Sequence, residues 1–293
     1  MLNNTFFRMS FLLFAFLFLL TAGCADESSS TQTEQSTTPA SGSNGNADSA
    51  GTGATDEASE IIIDDGLEHE EYFNEARRSM LRGEYARAVK LAEKAVEGKP
   101  TFDTYLLTLA DSRFMNGEID PAIEAYDDLI ETNPNSKPFL WQRGLALYYG
   151  DDFEEGKSQF ETHQTVNNQD VENAIWHMLC AAKVDGIDAA RENLINITAD
   201  RREWSREVYN LFAGNTSPDE MTLPLPPSED INRGEATNRY YANLYLGLYY
   251  EMTGEAEKAI EHMQYAADGM PFSRDQLMGQ IAAIHLRLRQ EQP

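Results

Sequence analysis

Between His69 and Asp170 the chain repeats one pattern of hydrophobic and polar positions three times, at a fixed interval. In each unit an apolar-periodic helix runs to a Gly turn and a second helix follows. The step from Gly83 to Gly117 is the same as that from Ala88 to Ala122 and from Pro100 to Pro134. The turn Gly ends a first helix without a Cβ penalty, and Pro cannot continue the second. Two antiparallel helices approach closely only where the facing residues are small. Ala88, Ala122, the pair Gly144 and Gly156, and the pair Gly247 and Ala259 supply such positions. A degenerate fourth pair is expected over 171–197, with Ala190 at its crossing. Trp204 to Phe212 reads as a further helix, stopped at Gly214 and Asn215. Ser217 to Gly234 carries Pro218, Pro224, Pro226 and Pro227 and is predicted to be an irregular strap. A well-formed unit follows over 240–272, then a closing helix over 273–290. In that helix Leu277, Ile281, Ile284 and Leu288 make one apolar stripe opposite a polar face. One helix pair cannot bury its apolar face alone, whereas stacked pairs share a core. The predicted fold is all-α: an α-solenoid of helix pairs closed by a C-terminal capping helix, occupying 61–293, with repeats near 69–102, 103–136 and 137–170.

The residues before this array have a different character. Arg8 precedes an unbroken apolar run from Phe11 to Leu20, too short for the roughly 20 residues that span a bilayer. Residues 1–23 are therefore expected to be an export signal. Residues 24–60 are rich in Ser, Thr and Gly, contain scattered acids and have no Lys or Arg. Such a segment cannot bury enough apolar surface to fold, so it is expected to be a disordered acidic tether. Ile61, Ile62 and Ile63 form the first apolar cluster after it, expected to dock on the first repeat or on a partner chain.

Charge narrows the function classes. The 49 acidic residues outnumber the 23 basic ones, for a net charge of −26. That surface repels phosphate backbones, so nucleic acid is not an expected partner. Cys24 and Cys180 lie in unlike contexts and imply no disulfide framework; Cys180 reads as a small buried hydrophobe. No catalytic constellation stands out. His69, His163, His177, His262 and His285 are isolated, and neither a phosphate loop nor a nucleophile elbow is present. The acidic pairs at Asp64, Asp127 and Asp151 read as solvated faces. No cofactor and no metal are expected, and an enzyme is not.

Three resemblances extend these expectations. A unit of about 34 residues punctuated in this way resembles the tetratricopeptide repeat. The likeness is clearest in Leu246, Gly247, Tyr250, Gly254, Ala259, Ala266 and Pro271. Leu20-Thr21-Ala22-Gly23-Cys24 resembles the bacterial lipobox, with Leu one place earlier than usual. That implies cleavage before Cys24 and lipid on its sulfur and amine, a stable anchor to the membrane. From the third repeat onward, the Arg143-Gly144 stretch, the Trp176 helix, Glu203-Trp204 and Asn243-Leu244-Tyr245 resemble the NlpI family of tetratricopeptide lipoproteins of enteric bacteria. This resemblance implies a homodimeric adaptor on the outer membrane, facing the periplasm. Its partners would be peptidoglycan hydrolases and their processing protease, with an effect on cell division. The rival expectation is a pilot lipoprotein assembling an outer-membrane secretin or pore.

The repeat resemblance also implies where partners would sit, since the inner groove of such arrays is lined from fixed positions of each unit. Those positions are Phe73, Arg77, Met80 and Leu81; Leu107, Asp111, Phe114 and Met115; and Trp141, Leu145, Tyr148 and Tyr149. An apolar, aromatic partner-binding groove is therefore expected, led by Trp141 and Tyr148.

Overall fold

The computed structural model describes residues 61, 63–223, 231–274 and 276–290. All of these residues belong to one compact unit, Ala58–Pro293. The expected signal, the Cys24 expected to carry lipid and the expected tether lie outside the described residues, as does the middle of the Pro-rich strap.

The described part of Ala58–Pro293 contains helices and no strand. In order they are α1 (His69–Arg82), α2 (Tyr85–Gly98), α3 (Asp103–Asn116), α4 (Ile119–Thr132), α5 (Trp141–Tyr149), α6 (Phe153–Gln164), α7 (Val171–Asp185), α8 (Ile187–Glu192), α9 (Ser205–Phe212), α10 (Arg233–Thr253), α11 (Ala256–Asp268) and α12 (Leu277–Gln290). From α1 to α8 each helix packs on the next, and α10, α11 and α12 do the same. This is the α-solenoid that the repeat spacing predicts.

Local chemistry fixes where the helices begin and end. Glu68 and Glu71 form a capping box at the start of α1, and Asn232 and Glu235 form another at α10. Gly83, Gly117 and Gly254 take φ of 75°, 83° and 85° just after α1, α3 and α10. At the first of them Gly83 N–H donates to Met80 and Glu84 N–H to Ser79, which satisfies two carbonyls that the helix leaves free. The crossing positions are as tight as the pattern requires. A Cβ on Gly144 would lie 2.6 Å from the Phe160 ring, and one on Gly247 would lie 2.8 Å from Met263.

Three elements depart most from the predicted boundaries. The third repeat opens with a 3-10 turn, Pro134–Phe139, which carries Pro138 inside it, and α5 is left with nine residues. Two prolines so close together deny the α-helical hydrogen bonds there. In the degenerate pair α8 has only six residues. Non-helical chain then runs to α9, and the Gln169 side chain holds it by accepting from Thr198 N–H and Ala199 N–H. Finally, α10 begins at Arg233, well before Tyr240, and runs for 21 residues.

The closing helix does more than cover α11. It also packs against α3, which belongs to the second repeat at the far end of the sequence. Its apolar stripe is buried at Leu277, Ile281 and Ile284, and Gln280 and His285, which flank the stripe, are buried as well. Arg287 donates to the carbonyl of Met115 at 3.0 Å, and Arg274, just before α12, donates to that of Arg82. The array therefore curls until its last helix lies against its first repeats.

Candidate functional site

The curl sorts the predicted groove residues into three groups. Phe114, Met115, Leu145, Tyr148 and Tyr149 are buried to within 5% exposure, and Met80 to 7%. The Tyr149 hydroxyl lies 3.2 Å from Nδ1 of His285 on α12, and the Arg289 guanidinium sits 5.8 Å over the Tyr149 ring. Tyr148 donates to Glu251 on α10 at 2.9 Å. Glu251 also accepts from Arg289 at 2.7 Å. Burial would raise the Glu251 carboxyl, but the neighbouring His285 and Arg289, with the Tyr148 hydroxyl, hold it below the usual carboxylate range. This part of the groove is thus covered by the chain's own α10 and α12. A protein partner reaches Tyr148 or Tyr149 only if those helices move.

The second group is partly open. Arg77 is exposed, with its guanidinium 5.8 Å from the Phe73 ring. Leu81 is exposed too, while Asp111 turns inward to accept from the Tyr126 hydroxyl at 2.6 Å. Leu107 lines a cavity of about 390 Å³ with Leu140 and the 62% exposed Phe139.

The third group is Trp141 alone, and here new residues join it. Trp141 lines a cavity of about 280 Å³ together with Phe160 and His163 of α6, Asn173 and Trp176 of α7, and Met278 of α12. Asp170 and Glu172, at the start of α7, bring acid to the same wall. Asp170 is the N-cap, its carboxylate accepting from Glu172 N–H at 3.0 Å. Asp200 accepts from Val171 N–H at the same distance, so two carboxylates meet one helix start.

A single guanidinium serves this acidic knot. Arg202 pairs with Asp170, Asp200 and Glu172, the last at 2.9 Å. The Arg202 guanidinium also lies 4.7 Å over Trp204, whose ring stacks on Tyr241 at 4.3 Å. Burial pushes the Glu172 carboxyl up to about 7, and the neighbouring Asp170 and Asp200 add to the rise. Arg202 opposes the rise, but burial outweighs its charge, which Asp170 and Asp200 also draw on. Apart from Glu172 Oε1, which the Arg202 guanidinium faces at 2.9 Å, the buried polar atoms of this wall without a hydrogen-bond partner are Asn173 Oδ1 and Trp176 Nε1.

The sequence pattern did not single out Asp170, Glu172, Asn173, Trp176 or Arg202 as a site. Asp and Glu at a helix start read as capping, and a Trp in an apolar helix reads as core. Arg202 joins them from the chain between α8 and α9, a separation that no periodicity reports. Among the described residues no three His, Cys, Asp or Glu side chains are placed to hold a metal. Cys180 is fully buried, with its thiol pushed up by burial, which suits a packing role.

A tetratricopeptide-repeat family model matches residues 105–136. Among solved structures, the chain is similar to a tetratricopeptide repeat protein from Parabacteroides merdae ATCC 43184 at 18% identity. That match covers 78% of this chain and 86% of the other, with a TM-score of 0.48. It is also similar to TTC0263, a thermophilic repeat protein of Thermus thermophilus, at 18% identity over 75% and 100% of the two chains, TM-score 0.41. A third similar structure is MamA 41-end from Desulfovibrio magneticus RS-1, at 13% identity over 68% and 93%, TM-score 0.43. The repeat assignment rests on the matched segment and on this chain's own helix pairs. Arrays of this architecture present extended surfaces that bind other proteins.

Proposed function

We propose that the protein is a non-enzymatic, lipid-anchored adaptor that faces the periplasm from the outer membrane. It gathers peptidoglycan hydrolases, or the protease that regulates them, and so bears on cell division. The observation that carries the adaptor reading is the cavity at Trp141. Trp141 is a predicted groove anchor that the chain's own helices leave partly accessible, and it sits beside buried polar atoms with no hydrogen-bond partner. The wall-enzyme partners and the membrane are supported by the sequence resemblances at Cys24 and from Arg143 to Leu246. The test is crosslinking and pull-down from membranes with the full chain. Trp141→Ala is expected to keep its helical circular dichroism and lose the captured wall enzymes, a hot-spot truncation costing about 2 kcal/mol or some thirtyfold in affinity. Undiminished capture by a folded variant would overturn the assignment. In the same fractions Cys24→Ser should leave the membrane; a mature variant that still needs detergent would refute the anchor.

A further inference from the structure

The cavity at Trp141 has a chemistry of its own beyond being accessible. Two indoles, Trp141 and Trp176, line it, and the electron-rich face of an indole attracts a cation. Asp170 and Glu172 line it too, and with Asp200 they set three carboxyl groups, Glu172 partly protonated near neutral pH, against the one charge of Arg202. The site is thus short of positive charge.

The unpartnered atoms say what else would fit. Asn173 is 3% exposed and Trp176 is 2% exposed, both on the cavity wall. Asn173 Nδ2 donates to Phe160 O and Gln164 Oε1, which fixes the amide so that Oδ1 is the atom left over. Oδ1 needs a donor, and Trp176 Nε1–H needs an acceptor. The two residues are three apart on one helix, hence neighbours on its face. A peptide backbone offers both, an N–H for the one and a C=O for the other. The volume, about 280 Å³, falls at the bottom of the roughly 300–1,000 Å³ range of small-molecule sites. It suits one side chain with its adjoining amide better than a cofactor.

We propose that this cavity takes a lysine or arginine side chain of a partner peptide, together with the peptide amide beside it. The inference rests on the adaptor reading in taking the ligand to be a protein segment. The chain's net charge of −26 favours such a partner over an acidic one.

The test is calorimetric titration of the detergent-solubilised full chain with an acetylated, amidated Ala-Lys-Ala peptide. Its norleucine counterpart and n-butylamine are the controls. The lysine peptide is expected to bind at least tenfold more tightly than either. Trp141→Ala, Glu172→Gln and Trp176→Phe, the last deleting only the indole N–H and part of the ring, should each weaken it severalfold with circular dichroism unchanged. Equal binding of the norleucine peptide overturns the cation, and equal binding of butylamine overturns the amide. Binding untouched by all three folded variants, or none to the wild type, overturns the site. If the lysine peptide fails while Trp141→Ala still abolishes partner capture, this inference falls and the adaptor reading stands. The reverse pattern leaves the inference standing and removes the adaptor reading from this cavity.

Discussion

Trp141 and Tyr148 lie on the same short helix, two turns apart, and the repeat pattern assigns them one role. Their surroundings separate them. Trp141 faces a cavity, whereas Tyr148 is 1% exposed and bonded to Glu251 on α10. Tyr148→Ala should therefore read as loss of fold, roughly 3–5 kcal/mol for a buried aromatic, measurable by denaturant titration. Tyr148→Phe should cost less, about 1.5–3 kcal/mol, the size of one hydrogen bond to a charged group. If Tyr148→Ala leaves stability unchanged but abolishes partner capture, Tyr148 belongs to the groove after all. Glu172 offers a second residue-scale outcome, in pH. Its native carboxyl is raised to about 7 from an ordinary 4.5, by burial first. The folded state therefore holds that proton more tightly, and the stability it contributes is present below pH ~4.5 and lost as pH rises towards ~7. Glu172→Gln should abolish this part of the fall, narrowing the gap in melting temperature between pH 5 and pH 8. An unchanged gap would show that Glu172 titrates normally.

At the scale of elements the sequence is legible wherever a local rule decides. The fixed repeat interval, the Gly turns and the small crossing residues recover α1 to α4 and α6, because each depends on neighbours within a few turns. The start of the third repeat is less legible, since the offset between units hides the 3-10 turn that Pro134 and Pro138 impose. The position of α12 is not legible at all. Its stripe of Leu277, Ile281 and Ile284 shows which face is apolar, but not that the flanking His285 and Arg287 meet Tyr149 and Met115. This contact distinguishes a helix that only closes the last repeat from one that ties both ends together. His285→Ala combined with Arg287→Ala removes the ties to α5 and α3 while leaving the stripe that packs on α11. Amide hydrogen exchange is expected to accelerate in α3 and α5, with the melting temperature lower by several degrees. Acceleration confined to α10 and α11 would reduce α12 to an end cap.

For the whole molecule the dominant quantity is charge. The 49 acids against 23 bases amount to −26, and residues 24–60 hold only seven of those acids and no base. Most of the repulsion is therefore built into the repeat array. The ion pairs that oppose it are mostly solvent-facing, such as Arg82 with Glu84 and Lys258 with Glu255, each side chain more than 40% exposed. Exposed pairs of this kind contribute little. Salt should then remove more repulsion than attraction. Raising NaCl from ~0.05 to ~0.5 M shortens the screening length from roughly 14 to 4 Å, so the melting temperature is expected to rise by a few degrees. Capture of a basic partner segment should move the opposite way, because screening weakens the attraction of an acidic surface for it. Stability and binding would thus part company along one variable. A melting temperature that falls with salt would mean that ion pairs such as Arg289 with Glu251 and the Arg202 knot outweigh the net charge. A binding affinity indifferent to salt would mean that the partner is held by apolar contacts, with the Leu107 and Phe139 cavity the place to look.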